Sequence, residues 1–194
     1  MPDSFQLDIR QSITIIRLNS ADGTNRLTRA CVRKMTEALR ELPREPRPLI
    51  ITGNHKFFSA GAELSEIVAL DGPTAYEFSM MGQALMSAVA EFPAAVCAAV
   101  SGYCMGGGLD LALACHRRIA SPHAVFGHRG AALGLITGWG GTQRLPRLVG
   151  KTRALQMMIE AEKVHAREAL RIGLVDAIAE DPLQAAIESL VPSR

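Results

Sequence analysis

The chain has 194 residues, of which 48% are hydrophobic and 21% charged, with a formal net charge of +2. That length supports one domain with a substantial core, and the balance is globular rather than disordered. The small charge, scattered basic residues and few aromatics exclude a nucleic-acid surface, and no apolar run approaches the ~18 residues of a membrane span.

The opening residues, MPDSFQLDIR, lack the basic-then-apolar pattern of a signal peptide, so a cytoplasmic location is expected. Gln6 to Leu18 holds two β-prone pieces, of which Ile13–Leu18 is the clearer strand. Asn19 to Asn25 reads as a loop. From Thr28, a candidate N-cap, the apolar residues Cys31, Met35, Leu39 and Leu42 recur at helical spacing, and the prolines from Pro43 to Pro48 end that helix. Pro48–Thr52 is a buried strand.

Gly53 to Leu64 reads as a loop whose small residues, Ser59-Ala60-Gly61-Ala62, let another group approach the backbone. Pro73 opens a long helix carrying Phe78, Met81, Leu85, Val89 and Phe92, and Pro93 stops it. Ala94–Val100 is a buried strand.

Three consecutive glycines, Gly106 to Gly108, then separate Ser101 from an Ala/Leu-rich helix over Leu109–Cys115. A strand, a glycine turn and a helix N-terminus aim unpaired backbone N–H groups at one point, where negative charge is favoured. Asp110 lies in the first turn. The motif fits either a tight connection with a dipole-complementing acid or a site for an anionic group. Phosphate-loop and dinucleotide glycine spacings are both unmatched.

His116 to Arg118 sits at the helix end, where positive charge is favoured. Short strands follow at Arg118–Ser121 and Ala124–Phe126. Gly127 to Thr142, with six glycines and the chain's one tryptophan, Trp139, is loop and helix entry. Helices are expected from Thr142, over Lys151–Glu162 and over His165–Ile172, the last capped by Gly173. Leu174–Ile178 reads as extended, and Asp181-Pro182 opens a last helix ending near Val191. Alternating buried strands and helices define an α/β chain with crossover connections. Cys31, Cys97, Cys104 and Cys115 form no C-x-x-C pair, and no histidine pattern suggests a metal site, so buried free thiols and no metal are expected.

Four ordered stretches resemble the crotonase superfamily, the enoyl-CoA hydratase/isomerase group. They are Phe58-Ser-Ala-Gly-Ala-Glu-Leu64, Ser101–Leu111, Phe126-Gly127 with Leu133–Gly150, and Ala166–Asp176, and together they span nearly the whole chain. The resemblance implies a crotonase-like (ClpP/crotonase) fold of repeated β-β-α units, a single domain over 1–194 with its core at about 1–178, and a shortened C-terminal helical region at about 181–191. It implies an acyl-CoA substrate and fatty acid metabolism, no cofactor beyond the coenzyme A of the substrate, and a homo-oligomer, trimer or hexamer. It places the amides of Ala62 and Gly107 as the oxyanion hole for a thioester enolate. Ala60, Gly61, Leu64, Lys56, Arg26 and Trp139 then fall in the substrate- and CoA-binding region, with Arg29 a further candidate for the CoA phosphates.

The chain departs from the family's two-glutamate hydratases. Asp110 falls on the first glutamate position and Gly130 on the second; a family isomerase aspartate falls on Gly138. A two-glutamate mechanism is therefore not expected. Asp110 and His128 are the catalytic candidates, each with a bland alternative as helix acid and loop histidine. Glu63 and Arg144 read as structural, Arg144 as an ion-pair partner. Pocket shape is expected to depend on Met80, Met81, Leu85, Leu135, Ile136 and Trp139, and the family's closing helices to be replaced by a more open pocket or by a neighbouring subunit. The resulting expectation is a lyase or isomerase of enoyl-CoA type. A CoA-thioester hydrolase or decarboxylase, or a non-catalytic acyl-CoA-binding or assembly protein, is the alternative.

Overall fold

The computed structural model describes residues 4–10, 12–42 and 47–191. The chain runs β1 (Phe5–Arg10), β2 (Ile13–Leu18), β3 (Arg26–Leu27), α1 (Arg29–Glu41), β4 (Leu49–Thr52), β5 (Phe57–Ser59), β6 (Gly61–Ala62), α2 (Leu64–Val68) and α3 (Gly72–Ala90). It continues with β7 (Val96–Val100), β8 (Tyr103–Met105), α4 (Gly107–Ala114), β9 (Arg117–Ala120) and β10 (Val125–Gly127). A 3₁₀ turn at Gly130–Leu133 leads into α5 (Gly141–Val149), α6 (Lys151–Ile159), β11 (Val164–His165), α7 (Ala166–Arg171), β12 (Ala177–Ile178) and α8 (Pro182–Leu190).

Among the described residues the strands form a six-stranded sheet in the order β1-β2-β4-β7-β9-β12, a four-stranded sheet β11-β10-β8-β5, and the pair β3-β6. In the large sheet β1 and β2 are antiparallel and every later pairing is parallel, as crossover connections require. Side-chain alternation decides what each face covers. Ile16, Leu18, Leu49, Ile51, Ala98 and Val100 face a core shared with α1, α3 and α4; Ile13, Ile15, Ile50, Cys97 and Ala99 face Ala186 and Ile187 of α8. Both faces are covered, which is why these strands read as continuous apolar runs.

Local chemistry sets the helix starts. The Thr28 hydroxyl accepts the Cys31 N–H at 3.2 Å, Asp71 and Thr74 close a capping box with Pro73 in the first turn, and Asp181 accepts the Gln184 N–H at 3.0 Å. The proline stop after α1 falls partly at 43–46, outside the described residues.

Several elements differ from the sequence reading. The loop read at Gly53–Leu64 contains β5 and β6, and the glycine turn contains β8, because these two- and three-residue strands are held by distant partners and not by their own propensity. Helix α4 starts at Gly107, so two of the glycines are helical. Helix α5 spans Gly141–Val149, beginning one residue before the start read at Thr142. Arg117 belongs to β9 and not to a helix end, and Arg118 lies in the strand read from it. His116 does structural work by hydrogen bonding: its Nδ1 accepts the Val96 N–H at 2.9 Å and its Nε2 lies 3.1 Å from the Ala90 carbonyl oxygen, tying α3 to β7. All four cysteines are buried free thiols. No helix among the described residues is long and apolar enough to cross a membrane.

Candidate active site

The three sheets and the helices between them bring distant segments to one cavity of about 470 Å³. Strand β6 supplies Gly61 and Ala62, the start of α4 supplies Gly107 and Asp110, the segment after β10 supplies His128 to Ala131, and the loop before α5 supplies Leu135 to Trp139. Helices α2 and α3 close the cavity with Leu64, Ile67, Ala75 and Phe78.

The approach of β6 to α4 is backbone on backbone. Gly61 holds φ +95°, and a methyl added there would lie 2.6 Å from the Met105 carbonyl oxygen and 3.1 Å from the Gly107 nitrogen. Only glycine fits at that position. Gly107 is the first residue of α4, so its N–H has no acceptor within the helix, and a methyl on it would lie 3.3 Å from the Ala62 nitrogen. Two amides from different elements thus border the cavity side by side, one of them at the positive end of a helix dipole.

Asp110 sits one turn further along α4 and is 1% exposed. Its own N–H donates to the Gly106 carbonyl within the helix, while its carboxyl turns to the cavity. The Thr137 hydroxyl donates to Oδ2. Oδ1 faces His128 Nε2 at 3.3 Å, outside hydrogen-bond geometry, so both buried atoms lack a partner. Unspent buried polar atoms are costly and call for an explanation. Burial pushes the Asp110 carboxyl up to about 7, against the opposing pull of the Thr137 hydroxyl, Arg144 and the neighbouring Gly141 N–H. Burial also pushes His128 down to about 4, so its imidazole is neutral at pH 7. Among the described residues lining the cavity, Asp110 is the one carboxylate.

The structure therefore brings together Asp110, His128, Ala62, Gly107, Ala60, Gly61, Leu64, Arg26 and Trp139. It does not bring Lys56, whose N–H donates to Asn54 Oδ1 and whose carbonyl accepts from Tyr103, away from the cavity wall. Arg29 is likewise off the wall, its guanidinium 5.4 Å from the Phe78 ring centroid. Met80, Met81 and Leu85 do not line the cavity either; Leu85 is core and Met80 faces outward on α3. Leu135, Ile136 and Trp139 do line it. Glu63 caps α2 and pairs with Arg26 at 3.4 Å, a structural role as read. Arg144 bonds the Trp139 carbonyl at 3.3 Å and not a carboxylate, so its expected ion pair is replaced by a loop contact.

Thr137, which lines the cavity and bonds Asp110, is a candidate that the sequence did not single out. It lies 27 positions from Asp110, and an isolated threonine in a glycine-rich loop carries no signal of its own. Gly130 leaves no room for a side chain, since a methyl there would come within 2.6 Å of the Leu135 carbonyl oxygen. The lack of a second carboxylate is thus written into the backbone and not only into the residue type.

A sequence model described as enoyl-CoA hydratase/isomerase matches residues 8–190. The chain is 36% identical over 182 residues to a Bacillus subtilis (strain 168) protein titled "Probable enoyl-CoA hydratase", covering 92% of this chain and 70% of that one. Among solved structures, Pseudomonas aeruginosa DspI superposes with a TM-score of 0.91 at 34% identity, over 96% of this chain and 73% of its own. An enoyl-CoA hydratase from Thermoplasma volcanium GSS1 superposes with a TM-score of 0.92 at 29% identity, over 99% of this chain and 79% of its own.

Proposed function

The chain belongs to the enoyl-CoA hydratase/isomerase family and has the crotonase fold, and we propose that it is an acyl-CoA enzyme moving one proton with one carboxyl. The amides of Ala62 and Gly107 hold the thioester oxygen. Asp110 carries the proton, and His128 is its neutral partner. The observation that supports this reading is the coexistence, in one cavity, of two adjacent backbone amides and a single buried carboxyl whose remaining oxygen has no partner.

The chemistry follows from where charge develops. Removing a proton α to a thioester, or adding a nucleophile β to it, places negative charge on the thioester oxygen as an enolate. Two preorganised amides stabilise that charge, and losing one such donor typically costs about 3–4 kcal/mol of transition-state stabilisation. A carboxyl held near pH 7 is populated in both forms, so Asp110 takes the proton in one half of the reaction and returns it in the other. Arg26 at the cavity edge is placed for an anionic part of the coenzyme.

Incubating the protein with saturated, 2-enoyl, 3-enoyl and malonyl-type CoA thioesters in heavy water, with mass spectrometry as the readout, tests the proposal. Deuterium at the α-carbon, a moved double bond or added water is the expected result, and Asp110→Asn abolishes it. Free CoA or carbon dioxide as the sole product points to a hydrolase or decarboxylase. Thioesters that bind and return unchanged, with no deuterium, refute an enzymatic role.

A further inference from the structure

Resting on that reading, we propose that Trp139 is a specificity-determining residue that closes the acyl end of the cavity and confines the enzyme to short acyl chains. The indole is 3% exposed and lies in a bed of two glycines. A methyl on Gly82 of α3 would overlap its five-membered ring, and one on Gly107 would come within 2.6 Å of Cζ3. Its Nε1–H donates to the Phe78 carbonyl at 3.2 Å, and its ring centroid lies 5.2 Å from that of Phe78. The ring is held against both glycines and fixed at its polar edge. It rests against Gly107, the same residue whose amide faces the thioester oxygen.

A thioester bound there has two arms. In this proposal the pantetheine arm leaves past Ala60, Leu64 and Arg26 and the acyl arm runs toward Phe78, Trp139 and Thr137, all of which line the one cavity. Beyond the indole the way is shut by a seam. The Gly138 carbonyl accepts both Ser79 Oγ and Gln83 Nε2 at 2.8 Å each, fastening the loop before α5 onto α3. Behind the seam lies a second cavity of about 460 Å³, lined by Thr142, Gln143, Arg144 and Arg147 together with Ser87. A hydrocarbon tail that breached the seam would enter polar surroundings and gain nothing from burial. The indole and the seam behind it therefore set the chain length.

The test is affinity and turnover against chain length. Saturated acyl-CoAs of increasing length are titrated by calorimetry into wild type, Trp139→Phe and Trp139→Ala, and kcat/KM is measured with the matching 2-enoyl thioesters. Each methylene accommodated strengthens binding about fourfold. In wild type that gain stops after a few carbons and then reverses; in Trp139→Phe the break moves modestly to longer chains, and in Trp139→Ala further. Trp139 is the only tryptophan, so the wild-type emission reports the same contact directly and changes once the tail reaches the ring, even where Trp139→Ala fails to fold. A break at the same length in wild type and Trp139→Phe, or emission indifferent to chain length, overturns the assignment while leaving the acyl-CoA reading intact. Wild-type protein that binds no acyl-CoA of any length overturns both.

Discussion

Replacing Asp110 by asparagine separates what its carboxyl does in catalysis from what its burial does to the fold. In the folded chain the group titrates at about 7, against 3.8 for an unperturbed aspartate. Between these values the folded state holds a proton that the unfolded state has released, so stability falls as pH rises through the window. The full penalty above pH 7 is on the order of 4 kcal/mol. His128 has the opposite sign. It titrates at about 4 in the folded chain against 6.5 when free. The unfolded state therefore holds the extra proton from pH 4 to 6.5, and stability rises across that interval by about 3 kcal/mol. In wild type the two slopes nearly cancel. Asp110→Asn keeps an oxygen for the Thr137 hydroxyl and leaves only the histidine slope. Its stability rises from pH 4 to 6.5 and exceeds wild type at pH 8 by a few kcal/mol, while turnover is lost. His128→Asn leaves the aspartate slope, and its stability falls from pH 4 to 7. Urea midpoints at half-unit pH steps measure all three, and groups common to them drop out of the differences. Parallel curves, or Asp110→Asn less stable than wild type at pH 8, would refute the account of the buried pair.

Thr137→Val removes the hydroxyl that favours the ionised form of Asp110. Its carboxyl rises further, and the acidic limb of the pH profile of kcat/KM moves up by about one unit. Gly107→Ala places a methyl 2.6 Å from the Trp139 indole and 3.3 Å from the Ala62 nitrogen. With one amide of the proposed oxyanion hole displaced, kcat falls on the order of 10²-fold or more, as single-turnover rates will show. Arg118, buried in β9, donates to the carbonyls of Leu174 and Cys115 and pairs with Asp176 at 3.1 Å. Arg118→Ala leaves those acceptors unmet and costs about 3 kcal/mol in urea denaturation at pH 7, with Asp176→Asn costing less because Asp176 is partly solvated.

What was legible in the sequence was what local chemistry decides. The caps at Thr28 and Asp181, the helix opening at Pro73, the buried strands from Ile13, Leu49 and Val96, and the turn at Gly106–Gly108 each carry their instruction within a few residues. Strands β3 and β6 do not, since two residues have no periodicity and exist only because Arg26 pairs with Gly61 and Leu27 with Ala62. The site divides in the same way. Gly61 and Gly107 announce a close backbone approach, whereas the bond from Thr137 to Asp110 and the retreat of Lys56 from the wall arise from tertiary placement. The indole of Trp139 belongs with the second group: nothing near it in the chain points to Gly82, 57 positions earlier, as half of its bed.

The division of labour in the cavity follows from which groups the fold can hold without a side chain. Backbone amides at Ala62 and Gly107 are placed by the meeting of β6 and α4, which the glycines at 61 and 107 permit and which asks nothing of a polar side chain. Proton transfer depends on side chains, and here the backbone at Gly130 admits none. A second carboxylate close to Asp110 would repel its charge and split the two titrations, giving one group for each half of the reaction. A neutral imidazole at 3.3 Å does not. It leaves burial to lift Asp110 to about 7, where acid and base forms are equally populated at neutral pH. One carboxyl can then serve both halves in turn, provided the proton returns to the face from which it came. That constraint favours suprafacial proton shifts and syn additions over reactions that need an acid and a base on opposite sides of the substrate.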